Sequence, residues 1–237
     1  MEWFAENCMI CSKPLEYFET AQTMNCSICG IQRSTNAACE DGHFVCDSCH
    51  SNKGWSSITF NTSKTSSLNP IKTATDIMRN QAINMHGPEH HYLVVASLLA
   101  AYRNAGGKID WGTALPSARQ RAENVPGGIC GLWGSCGAGI AIGIFVSIIT
   151  GATPLSEEEW SWANQSTSRA LAVISEHGGP RCCKRNSYLA IQQAVILVKE
   201  KFDIHMELPE RVTCEFSPRN KQCRKDRCQF YVNEIMI

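Results

Sequence analysis

Fourteen cysteines in 237 residues fall into two unlike groups, and their spacing limits what this chain can fold into more than any other feature. Seven lie within the first fifty residues, as Cys8-x2-Cys11, Cys26-x2-Cys29, Cys39-x3-His43 and Cys46-x2-Cys49. A two-residue gap lets both thiolates of a turn address one ion, and four such soft ligands complete a tetrahedron. The seven cysteines and His43 are enough for two closed zinc sites, with His50 as a spare ligand. Residues 1–50 show little apolar periodicity, so this segment is not expected to fold without metal. Sites saturated by protein ligands are structural or serve a partner surface; an electron-carrying iron–sulfur cluster is the rival reading.

The third and fourth ligand pairs resemble the middle of a RING-type cross-brace. By that logic one ion takes Cys8, Cys11, Cys39 and His43, and the other takes Cys26, Cys29, Cys46 and Cys49. Sequential pairing stays open, and the first two pairs depart from the RING pattern, so no ubiquitin-ligase activity is carried over.

Formal net charge is zero but unevenly spread. Residues 1–50 carry two Lys/Arg against seven Asp/Glu, which argues against this module gripping nucleic acid. Residues 181–237 carry eleven against seven. The first eight residues hold neither a basic n-region nor an apolar h-region, so a reducing cytoplasm is expected. There, paired Cys-x-x-Cys motifs favour metal or redox chemistry over disulfides. Residues 124–156 contain no charged side chain, but their mostly apolar part, 138–149, falls short of the ~20 residues a bilayer needs. Gly139 and Gly143 are spaced as a close-packing face, so a buried helix rather than a membrane span is predicted.

The pattern predicts an α+β protein: a small two-zinc cross-brace or ribbon-like module (1–50), a polar linker (51–69) and a mainly α-helical cysteine-rich domain (70–237). Asn69-Pro70 caps and opens a helix to about Met85. After the His86-Gly87 break, Pro88 restarts a helix whose apolar run is 92–103. A short polar helix is predicted over 116–124 and the buried helix follows Cys136-Gly137. Pro154, Ser156 and Glu159 read as a capping box for a helix to Glu176, with Trp160, Ala163, Leu171 and Ile174 inward. A last long helix covers 181–202, with Leu189, Ala190, Val195, Ile196 and Val198 inward, and 212–233 reads as loops or brief strands.

The second cysteine group sits in three settings. Cys130 and Cys136 lie on glycine-rich backbone before a helix, in Gly127-Gly128-Ile129-Cys130-Gly131 and Gly134-Ser135-Cys136-Gly137. Cys182 and Cys183 open another helix beside Arg181, Lys184 and Arg185, and Cys214-x8-Cys223-x4-Cys228 follows on a basic tail. Helix N-termini and adjacent cations favour the thiolate, which is both ligand and nucleophile. A 4Fe–4S cluster takes up to four thiolates, and Cys214, Cys223 and Cys228 with Cys182 or Cys183 are the candidate cofactor ligands. Cys130 and Cys136 remain as a redox pair, sulfur acceptors or alternative ligands, against zinc in the tail or small buried core residues. In His86-Gly87-Pro88-Glu89-His90-His91, Glu89 and His90 are the candidate proton-moving groups, against a helix entrance that merely caps and packs.

Gly-Pro-Glu-His-His, Gly-Ser-Cys-Gly-Ala-Gly, Gly-Gly-Pro-Arg-Cys-Cys-Lys-Arg-Asn and the tail Cys-Glu-Phe-Ser-Pro-Arg-Asn-Lys-Gln-Cys together resemble an uncharacterised cysteine-rich domain family of anaerobic archaea and bacteria, sometimes joined to methyltransferase-like domains. The resemblance covers roughly residues 70–233 and implies an anaerobic host without implying an activity. A fainter similarity, to the cluster-binding half of iron–sulfur L-cysteine desulfidases and serine dehydratases, implies Cys136 and Cys182 or Cys183 as cluster ligands. Much of the desulfidase pattern is absent, including its longer amino-terminal half. The function expected is sulfur handling on a small thiol or thio-substrate, as a lyase or sulfur transferase. The alternatives are a non-catalytic zinc-binding accessory protein that docks a methyltransferase or other partner, and electron transfer without substrate chemistry.

Overall fold

The computed structural model describes residues 8–11 and 13–232. The leader-region reading falls on residues outside these. The described residues form an α+β structure with one two-stranded sheet and eight α-helices. Strands β1 (Leu15–Asn25) and β2 (Gln32–Cys39) pair antiparallel, from Leu15 opposite Cys39 to Asn25 opposite Gln32, with a bulge between Tyr17 and Gln22. Most of β1 is exposed, so the hairpin has almost no core beyond a small cluster of Cys26, Phe44 and Cys46.

Helix α1 (Asp47–Lys64) overturns the expected linker over 51–69. Ser, Thr and Asn dominate its composition, but Ser51, Gly54, Trp55, Ile58 and Thr62 form a buried stripe at helical spacing. The hydroxyls that suggested a loop are satisfied locally: Thr62 Oγ1 donates to the Ile58 carbonyl at 2.8 Å and Thr59 Oγ1 to that of Trp55 at 3.1 Å. Only residues 65–69 connect α1 to α2 (Pro70–Met78).

Asn69 caps α2 as expected, its Oδ1 accepting from Lys72 N at 3.0 Å. The helix stops at Met78 rather than Met85, because Asn80 Oδ1 accepts from Ala82 N at 2.9 Å and draws the backbone into turns. Helix α3 (Glu89–Asn104) is the centre of the molecule, buried all round from Glu89 to Tyr102 and packed by α1, α2, α4, α6 and α8. It carries no charge between Glu89 and Arg103, as a helix without a solvent face requires. Helix α4 (Trp111–Glu123) begins earlier than the predicted 116–124, since Asp110 Oδ1 accepts from Gly112 N at 3.1 Å. Pro116 therefore lies inside the helix, at the expense of one backbone bond.

The short α5 (Ile129–Leu132) leads to α6 (Gly137–Thr150), the predicted buried helix. No helix among the described residues is long and apolar enough to cross a membrane. Gly139 and Gly143 face α7 (Glu158–Glu176): a β-carbon on either would overlap Leu171 or Thr167. The capping box at Ser156 does not form. Glu157 takes the cap position, and Ser156 Oγ accepts from Thr153 N at 3.0 Å instead. Trp160, expected inward, is 51% exposed, and the buried positions of α7 are Ser166, Ala170 and Ile174. Helix α8 (Cys183–Phe202) buries Leu189, Ala190, Val195 and Val198 as expected, with Ile196 outward. The tail then folds back as two 3-10 turns and a bridge between Cys214 and Tyr231.

Candidate functional site

The amino-terminal ligands are brought together by the hairpin, which carries one Cys-x-x-Cys turn at each end of β1 and returns Cys39 beside the first. Cys8, Cys11, Cys39 and His43 have ligand atoms within 4.8 Å of one another, as do Cys26, Cys29, Cys46 and Cys49. This is the cross-brace pairing. Cys11 Sγ lies 3.6 Å from Cys39 Sγ, and Cys29 Sγ 3.8 Å from Cys46 Sγ. A zinc tetrahedron with Zn–S of ~2.3 Å sets sulfurs ~3.8 Å apart. The turns are preorganised: Cys8 Sγ accepts from Ile10 N at 3.4 Å and Cys26 Sγ from Ile28 N at 3.5 Å. Gly30, at φ +72°, allows the chain to leave the second turn. Burial pushes the Cys26 thiol up, but backbone N–H groups of Cys46, Cys29 and Ile28 outweigh it and bring its pKa down to about 6. His50 is not a ligand here; its Nδ1 lies 3.3 Å from Asn84 Nδ2. Both groups could hold a metal ion such as zinc.

The carboxyl-half thiols divide in two. Cys182, Cys214, Cys223 and Cys228 line one small cavity of about 20 Å³. Cys182 stands at the N-cap of α8, accepting from Arg185 N at 3.5 Å, and the other three come from the folded-back tail. Asn220 joins the two sides, its Nδ2 donating to Cys182 Sγ at 3.6 Å and its Oδ1 accepting from His86 Nε2 at 3.3 Å. Cys223 Sγ accepts from Lys225 N at 3.4 Å and Cys214 from Phe216 N, the same two-residue amide-to-sulfur turn as at Cys8 and Cys26. Burial and then the charges of Cys182, Cys228 and Cys223 push the Cys214 thiol up to about 11. No three of these four sulfurs fall within the 4.8 Å mutual spacing that the amino-terminal ligand atoms share.

Cys183 does not line this cavity. It takes the first position of α8, where burial, and after it the charges of Cys136 and Cys182, push its thiol up to about 12. Cys136 caps α6, and its Sγ accepts from Asn186 Nδ2 at 3.3 Å. Cys130 lies near Cys136, close enough for the Cys136 charge to raise its pKa, after burial as the larger cause.

Glu89 and His90 are sealed off, at 0% and 1% exposure, and neither lines the thiol cavity. Glu89 accepts from Asn84 N at 2.9 Å and Ser51 Oγ at 3.2 Å. His90 Nδ1 lies 3.0 Å from the Gly87 carbonyl, which can only accept, so Nδ1 carries the proton. Its Nε2 lone pair is taken by Lys184 Nζ at 2.9 Å, which also donates to the Asn84 carbonyl at 2.8 Å. Burial, then the Lys184 charge, hold His90 well below the ordinary histidine range. Lys184 itself is fully buried, and burial lowers its pKa to about 8 against the pull of Glu89. The geometry of Glu89 and His90 is that of a buried polar network joining α1, α3 and α8. Sequence reasoning missed Asn220, Asn186 and the inward turn of Lys184. Nothing in the tail distinguishes Asn220 from its polar neighbours, and a lysine among cations reads as solvated.

A family model matches residues 58–231, the family of unknown function DUF5714. The chain belongs to this family. No curated protein matches the chain, and no solved structure matches it. The DUF5714 match takes in all seven carboxyl-half cysteines and begins within α1, so the amino-terminal metal groups lie outside it.

Proposed function

We propose that this chain is a metalloprotein with two structural zinc ions and a third, thiolate-bound centre in the DUF5714 region that acts in sulfur handling on a small thiol or thio-substrate. The supporting observation is the convergence of four cysteines from α8 and the tail on one cavity. A polynuclear centre such as a 4Fe–4S cluster takes up to four thiolates, the number that line this cavity. At about 20 Å³ the cavity holds little more than one water-sized atom, so a cluster would need the irregular tail to move outward. When bound, such a cluster supplies an iron that polarises sulfur. The chain's own contribution is the thiolate ring, the amide donors of Phe216, Lys225, Arg185 and Asn220, and the basic wall of Arg185 and Arg224.

A second reading is a zinc-only accessory protein whose amino-terminal module docks a partner such as a methyltransferase. The small cavity and the zinc-like turns at Cys214 and Cys223 favour it. Anaerobic purification with metal analysis separates the two. Iron alongside zinc, with broad thiolate-to-iron absorption, and loss of that iron alone in Cys223→Ala, supports the cluster. Zinc as the sole metal favours the accessory role, and iron retained in Cys223→Ala removes Cys223 from the ligand set.

A further inference from the structure

The first turn of α1 belongs to two sites at once. Cys46 and Cys49, ligands of the second amino-terminal group, stand at its cap and in its first turn, and His50 and Ser51 follow directly. Asn84 Nδ2 donates to His50 Nδ1 at 3.3 Å, and Ser51 Oγ donates to Glu89 Oε2 at 3.2 Å. Ser51 and Glu89 are both fully buried, so neither has water as a substitute partner. Glu89 Oε1 accepts in turn from Asn84 N at 2.9 Å. A β-carbon on Gly54 would crowd the Ala82 carbonyl and the Glu89 side chain, so α1 lies directly against this segment.

Three consecutive residues connect that anchor to the thiol cavity. Residues 84–86 lie between α2 and α3, outside any helix or strand, so side-chain bonds fix their place. Asn84 is held by His50, and its carbonyl accepts from Lys184 Nζ at 2.8 Å. Met85, 4% exposed, lines the cavity with Cys182, Cys214, Cys223 and Cys228. His86 Nε2 donates to Asn220 Oδ1 at 3.3 Å, and Asn220 Nδ2 donates to Cys182 Sγ at 3.6 Å. The turn that carries Cys49 is thus two hydrogen-bonded steps from a wall of the cavity. The first metal group has a looser hold. Its end of the hairpin meets the helical region at Tyr17, whose Oη accepts from Arg181 Nη2 at 2.8 Å, but Tyr17 is 58% exposed and water can replace that bond.

We propose that the metal ion of the second amino-terminal group controls access to the thiol cavity. This names the regulation of the cavity described above, and it rests on the zinc reading of the second group rather than on what the cavity holds. Cys46 caps α1 without a side-chain hydrogen bond, and the hairpin behind it has only the small cluster of Cys26, Phe44 and Cys46 as a core. The ion therefore supplies the order of the first turn. With the ion bound, His50 and Ser51 hold Asn84 and Glu89, and the wall at 84–86 stays closed. With the ion gone, the first turn frays, the wall is released and Cys182 opens to small electrophiles and incoming metal. The rest of α1 stays docked through Trp55, Ile58 and Thr62, so the opening is local.

The test is anaerobic alkylation of the full zinc-loaded chain with N-ethylmaleimide, followed at each cysteine by peptide mass, with bound metal counted by native mass spectrometry. Cys29→Ser removes an exposed ligand of the second group and should speed alkylation of Cys182 by ~10-fold or more. Cys11→Ser, in the first group, should leave that rate within ~2-fold of wild type. His50→Ala keeps every metal ligand and should still speed Cys182 by ~3-fold or more, because Asn84 loses its partner. Equal rates in wild type, Cys29→Ser and His50→Ala, with an ion lost from Cys29→Ser, overturn the coupling and leave the zinc reading standing. Equal acceleration in Cys11→Ser and Cys29→Ser overturns the assignment to the second group. A wild-type chain that binds no ion at the second group overturns both the coupling and the zinc reading. Should Cys29→Ser keep its ion or fail to fold, the His50→Ala rate decides alone.

Discussion

Replacing Glu89 by Gln separates a buried structural carboxylate from a proton-moving one, and the structure sets the size of the effect. Glu89 helps hold the Lys184 pKa at about 8, below its ordinary 10.5 because of burial. Without that charge Lys184 would titrate lower, and the most this can cost is the whole stability of its protonated form. At pH 7 the loss of that proton is worth at most about 1 kcal/mol. The bonds from Asn84 N and Ser51 Oγ to the Glu89 carboxyl oxygens are weakened, at ~0.5–1 kcal/mol each. Glu89→Gln should therefore destabilise the zinc-loaded chain by roughly 2–3 kcal/mol at pH 7. Because Lys184 titrates lower folded than unfolded, its burial opposes folding fully below pH 8. That opposition is relieved as the pH rises toward 10.5. Above about pH 8 the folded lysine is neutral in wild type and variant alike, so the deficit should shrink by ~1 kcal/mol between pH 7 and pH 9. Urea unfolding at the two pH values measures both quantities. A variant as stable as wild type at pH 7, or a deficit that widens by pH 9, would refute the network.

Two further outcomes follow from the fold. Ile58→Ala, at a residue the composition assigns to a linker but the structure buries completely, should cost ~2–4 kcal/mol, while Phe60→Ala, 58% exposed, should stay within ~0.5. Equal effects by urea unfolding would return 51–64 to a linker. Because the β1–β2 hairpin has so little core, chelation of zinc should strip hydrogen-exchange protection from 15–39 and leave α3 and α8 protected. A hairpin still protected after chelation contradicts metal-dependent folding.

The amino-terminal ligand sets were legible in the sequence because two-residue gaps report local geometry directly, and RING-like logic supplied the pairing that apolar patterns cannot. Helices α3, α6 and α8 were legible from their apolar runs. Helix α1 was not, because Ser, Thr and Asn make back-bonds to helical carbonyls that composition cannot show. The site was half legible. Cys182, Cys214, Cys223 and Cys228 stood out as thiols, but which of Cys182 and Cys183 faces the tail depends on the rotation of α8, a tertiary fact. The histidine cluster misled for the same reason: His90 and His91 are adjacent, and the rotation of α3 gives one to Lys184 and the other to Gly137.

Native mass spectrometry of the chain, purified without oxygen and without added chelator, tests the thiolate centre most directly. The account predicts a mass above that of the chain with two zinc ions, with the excess lost from Cys223→Ala and Cys228→Ala. A chain carrying two zinc ions alone, with Cys182, Cys214, Cys223 and Cys228 all open to alkylation in the folded state, would contradict it.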